Sequence, residues 1–178
     1  MILGMSTSSF TLLHVLISLI AILSGIVVVI GMTSSSRLEG LTALFLATTA
    51  LTSVTGFFFH TAKLLPSHIV GIISLVVLAV SISALYLYRL AGAWRWIYVV
   101  TAVAALYLNV FVLVVQGFLK VPALHALAPT QNEPPFKIAQ GLALVLFVVL
   151  GIMAVKRFRP ASKAVRLGTE GMSTVSQR

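Results

Sequence analysis

Long apolar runs, broken by short polar turns, set the pattern of this chain. Five of them, Phe10–Met32, Leu38–His60, Ser67–Leu90, Arg95–Phe118 and Phe136–Lys156, are each 21 to 24 residues long. At about 1.5 Å rise per residue, each covers the ~30 Å hydrocarbon core of a bilayer with some tilt. The pattern predicts an all-α fold: an integral membrane bundle of five transmembrane helices over 10–156. It is preceded by a short outer N-terminus at 1–9 and followed by a basic cytoplasmic tail at 157–178.

The turns between the runs have distinct chemistries. Thr33–Arg37 is serine-rich, and Glu39 follows near a helix start, where the dipole favours an anion. Pro66-Ser67-His68 reads as a helix opening, with proline in the approach and serine as cap. The tight Ala91–Trp94 turn makes the third and fourth helices antiparallel neighbours. The connection Leu119–Pro135 is long and holds Pro122, Pro129, Pro134 and Pro135; its apolar part, Pro122–Pro129, predicts a short helix on the outer interface. No internal repeat divides the spans into the inverted pair typical of transporters.

Composition sharpens the class. Hydrophobic residues make up 60% and charged residues 8% of the chain, against about 25% charged in soluble domains. Cysteine is absent, which removes disulfides, thiolate metal sites, iron–sulfur clusters and cysteine nucleophiles. Aspartate is absent too, and none of Glu39, Glu133 and Glu170 lies within a hydrocarbon core. That weakens the case for an ion-coupled pump or transporter, which needs intramembrane carboxylates.

The net charge of +9 belongs to topology and lipid rather than to nucleic acid. Lys156, Arg157, Arg159, Lys163 and Arg166 follow the last span, where basic residues anchor a cytoplasmic end to anionic lipid. With Arg37, Arg89 and Arg95 on that same side, the outer side keeps Lys63, Lys120 and Lys137. The expected setting is a bacterial inner membrane, N-terminus periplasmic and C-terminus cytoplasmic. Tyr86, Tyr88, Trp94, Trp96 and Tyr98 bracket the third turn as interfacial aromatics do. No basic residue precedes the first run, so it is expected to be retained and not cleaved as a leader.

Candidate chemistry gathers at the outer face. That topology puts all four histidines, His14, His60, His68 and His125, at or near it. His14 stands out because it lies inside a span, where a polar side chain turns inward to a partner. It shares a helical face with Thr11, Ser18, Ala21 and Gly25; Thr42, Thr49, Thr52, Ser53, Gly56 and His60 form a similar face on the second helix. Ser67, Gly71, Ser74 and Ser81 do so on the third. Small and hydroxylated stripes of this kind serve close helix packing in membranes.

On the fourth helix, Thr101, Asn109 and Gln116 share a face. A cluster of His14, His68, Gln116 and Gln140, beneath the Pro122–Pro129 segment and walled by Phe57, Phe58 and Phe59, is the candidate site. Two imidazoles there, His14 and His68, have the chemistry to ligate haem iron or a divalent metal. Glutamine and aromatic neighbours would instead suit a quinone headgroup. No haem-attachment cysteines, phosphate loop or nucleophile–base triad accompanies them.

Four stretches carry a resemblance: Leu13-His14 through Ile22, Ala47 through Phe58 with Ser53 and Gly56, Leu65-Pro-Ser-His68-Ile-Val-Gly71, and Pro134-Pro-Phe-Lys-Ile-Ala-Gln140-Gly. Together they resemble a group of small multi-pass inner-membrane proteins of Gram-negative bacteria, over roughly Phe10 to Pro160. That resemblance implies a membrane bundle and supplies no activity, cofactor or site residue. Three readings stay open: a non-catalytic accessory or structural membrane component, a haem-, metal- or quinone-binding module, and a small permease or channel. The partners expected are the lipid bilayer and another membrane protein or a second copy, with no nucleic acid.

Overall fold

The computed structural model describes residues 4–59 and 66–159. His60, Lys63, Glu170 and the tail beyond Arg159 therefore lie outside the described residues, as does most of the 157–178 segment. Helix α1 spans Thr7–Thr33, α2 Glu39–Gly56, α3 Pro66–Ile82, α4 Trp94–Lys120, α5 Pro122–Leu127 and α6 Pro134–Arg157. A π-helical turn, Ser83–Leu87, continues α3. There is no strand among the described residues. The fold is all-helical, as the apolar pattern predicts.

Caps set several of the ends. The Ser6 side chain accepts from the Ser9 amide at 3.1 Å, and the Thr11 hydroxyl donates to the Thr7 carbonyl, so α1 begins three residues before the apolar run. Proline opens both α5 and α6, where a missing amide hydrogen costs nothing. Helix α2 stops at Gly56, short of the His60 expected from hydropathy, and Phe57 and Phe58 close it with amide bonds to Val54 and Thr55. Phe58 and Phe59 then turn onto Phe10, with ring centroids 6.3 and 5.3 Å away. Aromatic packing across to α1 wins over one more helical turn.

Among the described residues, four helices are long and apolar enough to cross a membrane: Thr7–Thr33, His68–Leu87, Trp94–Lys120 and Pro134–Arg157. Helix α2, 18 residues long, is not among them, because hydroxyls at Thr42, Thr48, Thr49, Thr52, Ser53 and Thr55 dilute its apolar character. The apolar surface is disposed as in a protein with hydrocarbon around it. On α6 only Phe147 and Ala154 are buried, while Ile138, Leu142, Val145, Leu146 and Ile152 are exposed. A water-soluble monomer does not carry an apolar face of this extent.

Helix α4 is the hub. It touches α1, α2, α3, α5 and α6, while α2 lies between α1 and α3, and α1 also meets α6. The core joins Phe45, Leu78, Val99, Ala102, Leu106 and Phe147 from four helices. Gly25 makes the closest approach: a Cβ there would stand 2.7 Å from Leu106 and 2.8 Å from Phe45. That stripe of small residues on α1 does face inward, and it lets α1, α2 and α4 converge.

Polar side chains inside the bundle join helices to one another. The Asn109 amide donates to the Thr49 hydroxyl at 3.1 Å, linking α4 to α2. The hydroxyls of Ser53 and Ser74 are hydrogen-bonded at 3.1 Å, linking α2 to α3. Other hydroxyls bond the preceding turn of their own helix, as Ser24 does to Ile20 and Thr48 to Leu44. Each such bond relieves a cost that lipid would otherwise impose.

Candidate functional site

The residues proposed from sequence take their places around the ends of α2 and α6. His14, half-buried on α1, meets Thr55 of α2, with Nδ1 and Oγ1 2.7 Å apart. Thr55 has one hydroxyl hydrogen, and it goes to the Leu51 carbonyl at 2.7 Å. With that hydrogen on the Leu51 carbonyl the imidazole donates through Nδ1–H; in the other tautomer the Thr55 hydroxyl donates to Nδ1. Phe59 stands edge-on to the same ring at 5.2 Å. His68, on α3, stacks against Phe57 at 5.7 Å and 20°. Since α2 lies between α1 and α3, the two histidines flank one helix end, each with its own phenylalanine.

The glutamines belong to a different helix pairing. Gln140 on α6 donates to the Phe111 carbonyl of α4 at 3.2 Å, while its Oε1 is buried without a partner. Gln116 is half-buried on α4. Helix α5 is the short helix expected from Pro122–Pro129, and its packing contacts are with α4. His125 upon it donates through Nδ1 to the Phe118 carbonyl at 3.2 Å, a bond local to the α4–α5 corner. Among the described residues, no three histidine or acidic side chains converge as a metal-binding group.

The long connection itself is tied down. Gln131 donates from Nε2 to the Val115 carbonyl at 2.9 Å, and Phe118 meets Phe136 edge-on at 5.4 Å. Glu133, just before α6, accepts from the Thr130 hydroxyl at 2.8 Å, the Thr130 amide at 3.2 Å and the Asn132 amide at 3.0 Å. Desolvation, the largest single influence, pulls this carboxyl upward, but the hydrogen bonds to its ionised form together outweigh it and hold the group below the usual carboxylate range.

At the opposite, arginine-rich end lies a feature the sequence does not announce. A cavity of about 240 Å³ opens between the α1–α2 turn, the π turn, the start of α4 and the residue after α6. Val28, Met32, Leu85 and Phe158 form its apolar side, and Thr42, Tyr86 and Tyr98 supply hydroxyls. Arg37 and Glu39 stand on it as an ion pair, Nε to Oε1 at 3.6 Å. Buried Tyr98 shares this lining with Thr42, Tyr86 and Arg37.

The chain beyond α6 completes this end. Phe158 is buried and packs on Tyr98 at 6.0 Å. Its carbonyl accepts from Arg95, and the Arg159 amide donates to the Ser35 hydroxyl at 2.9 Å. Tyr88 and Trp94 stack nearby at 3.7 Å across the tight turn. In the sequence Arg37, Tyr86 and Tyr98 read as topology markers; their convergence depends on contacts between distant segments. No family model, curated protein or solved structure matches the chain.

Proposed function

We propose that this chain is a non-catalytic component of a bacterial inner membrane, a five-span bundle whose interior polar groups hold its helices together. One observation carries the reading: polar side chains of the bundle, two of the candidate site residues among them, make helix-to-helix bonds. His14 is bonded to Thr55, Asn109 to Thr49, Ser53 to Ser74, and Gln140 to the Phe111 carbonyl. In hydrocarbon such bonds act as adhesive between helices.

Helix α2 is the fifth span in this proposal. Eighteen residues rise about 27 Å at 1.5 Å each, close to the hydrocarbon thickness. Its hydroxyls return to their own backbone at Thr48, Ser53 and Thr55, which lowers their cost in lipid. The excess of arginine at the α1–α2 and α3–α4 turns supports a cytoplasmic placement for that end and a periplasmic N-terminus. Lipid and another membrane protein or a second copy are the partners in this proposal.

A second reading, a haem-, metal- or quinone-binding module, has one geometric point in its favour. The Thr55 bond orients the His14 ring, and its Nδ1–H tautomer presents an unprotonated Nε2, the form a ligating imidazole needs. The absorption spectrum of the detergent-purified protein, oxidised and reduced, with metal analysis, separates the two. The proposal expects no Soret band, no stoichiometric metal and no extractable quinone, with His14→Ala lowering thermal stability only. A bound chromophore or metal lost in His14→Ala would reverse the assignment.

A further inference from the structure

The cavity at the arginine-rich end has the makings of a ligand site that none of the readings above uses. Its volume of about 240 Å³ falls below the ~300–1,000 Å³ of sites for drug-sized ligands, a size suited to a headgroup. Arg37 and Glu39 present opposite charges on it, yet their 3.6 Å separation is longer than a hydrogen bond. Their side chains are 39% and 61% exposed, so each keeps free donors or lone pairs for another partner. The hydroxyls of Thr42, Tyr86 and Tyr98 add acceptors and donors between apolar walls.

A second observation is independent of the cavity's shape. The helix wall here is not α-helical: the π turn Ser83–Leu87 carries both Leu85 and Tyr86, and π turns concentrate at functional sites.

We propose that this cavity binds a zwitterionic headgroup of the phosphoethanolamine class, one phosphate and one primary ammonium on a two-carbon link. The phosphate sits on the Arg37 guanidinium, whose planar fork suits oxyanions. The ammonium donates to the Glu39 carboxylate and to the tyrosine hydroxyl oxygens. A purely anionic headgroup would leave Glu39 opposed by like charge, and a trimethylated ammonium has no N–H to give. The same chemistry is offered by a membrane phospholipid or by free phosphoethanolamine; the cavity's position at the helix ends, at headgroup level, favours the lipid. The site goes beyond the function proposed above and holds on either face of the bilayer, because headgroups line both.

The test uses the purified full-length protein, titrated with short-chain phosphatidylethanolamine, phosphatidylglycerol and phosphatidylcholine, and with phosphoethanolamine alone. Binding is read by native mass spectrometry and by thermal shift. Phosphatidylethanolamine should bind about tenfold more tightly than the other two lipids, the worth of one charge-assisted hydrogen bond. Glu39→Gln should erase that preference, and Arg37→Gln should weaken phosphatidylethanolamine and phosphatidylglycerol alike. Binding of free phosphoethanolamine supports a headgroup-only site; binding of the lipid alone supports a lipid site. Tyr86→Phe, at an exposed side chain, is a second variant and should narrow the preference. Equal binding of the three lipids, or a preference unchanged in Glu39→Gln and Tyr86→Phe, overturns the proposal.

Discussion

Asn109 shows what a single polar residue does inside this bundle. Its amide reaches Thr49, a fully buried hydroxyl on α2, and leaves α2 bonded to the hub helix. A double-mutant cycle of Asn109→Leu and Thr49→Val should return a coupling of about 0.6–1.7 kcal/mol, the range of hydrogen bonds between membrane helices. Steric-trap unfolding in bicelles measures it; a coupling near zero would remove the bond as a source of cohesion. Glu133 gives the pH counterpart, outside the spans. Its carboxyl titrates below the usual range because Thr130 and Asn132 bond the ionised form. That contribution is therefore fully present above the unfolded value and is lost as pH falls through the lowered folded value. Amide-exchange protection of Thr130 and Asn132 should drop on acidification, and Glu133→Gln should make it low and insensitive to pH.

Among the helices, α1, α3, α4 and α6 are legible in the apolar runs, since a run of that length has few other uses. The end of α2 is not: Phe57, Phe58 and Phe59 continue the hydropathy while the backbone stops at Gly56. Hydropathy also misses the π turn, because Ser83–Leu87 is as apolar as the α-helix it continues. Side-chain partners are harder still to read. Thr55, which fixes the His14 ring, is 41 residues away, and the cavity joins Arg37, Tyr98 and Phe158, which no local pattern links. The glycine on α1 is a different matter, because its spacing within a small-residue stripe points inward and the structure places it there. Gly25→Val should destabilise the bundle by about 2 kcal/mol, as added methyl groups press on Leu106 and Phe45. An unchanged unfolding free energy would mean that α1 can back away from its neighbours without cost.

Taken whole, the molecule is an arc of four helices, α3, α2, α1 and α6, wrapped around α4. One end carries His14 and His68 beside the phenylalanines that close α2, and the other carries Arg37, Arg89 and Arg95. The five crossings proposed above would put these ends in different compartments and the two termini on opposite sides. Fusions to a phosphatase active only in the periplasm should be active at the N-terminus and silent after Arg178; activity at both termini would mean an even number of crossings. Separate fusions after Arg37 and after Asn132 should report opposite sides as well.

Phe158 has a consequence for the order in which the molecule comes into being. It closes the arginine-rich cavity from just beyond α6, clasped by Arg95 and flanked by an Arg159–Ser35 bond. During synthesis every other wall of that compartment leaves the ribosome earlier, so the compartment stays roofless until the last crossing has been made. Any molecule retained there would thus report a chain extended past α6, and a chain halted at Val155 would never acquire it.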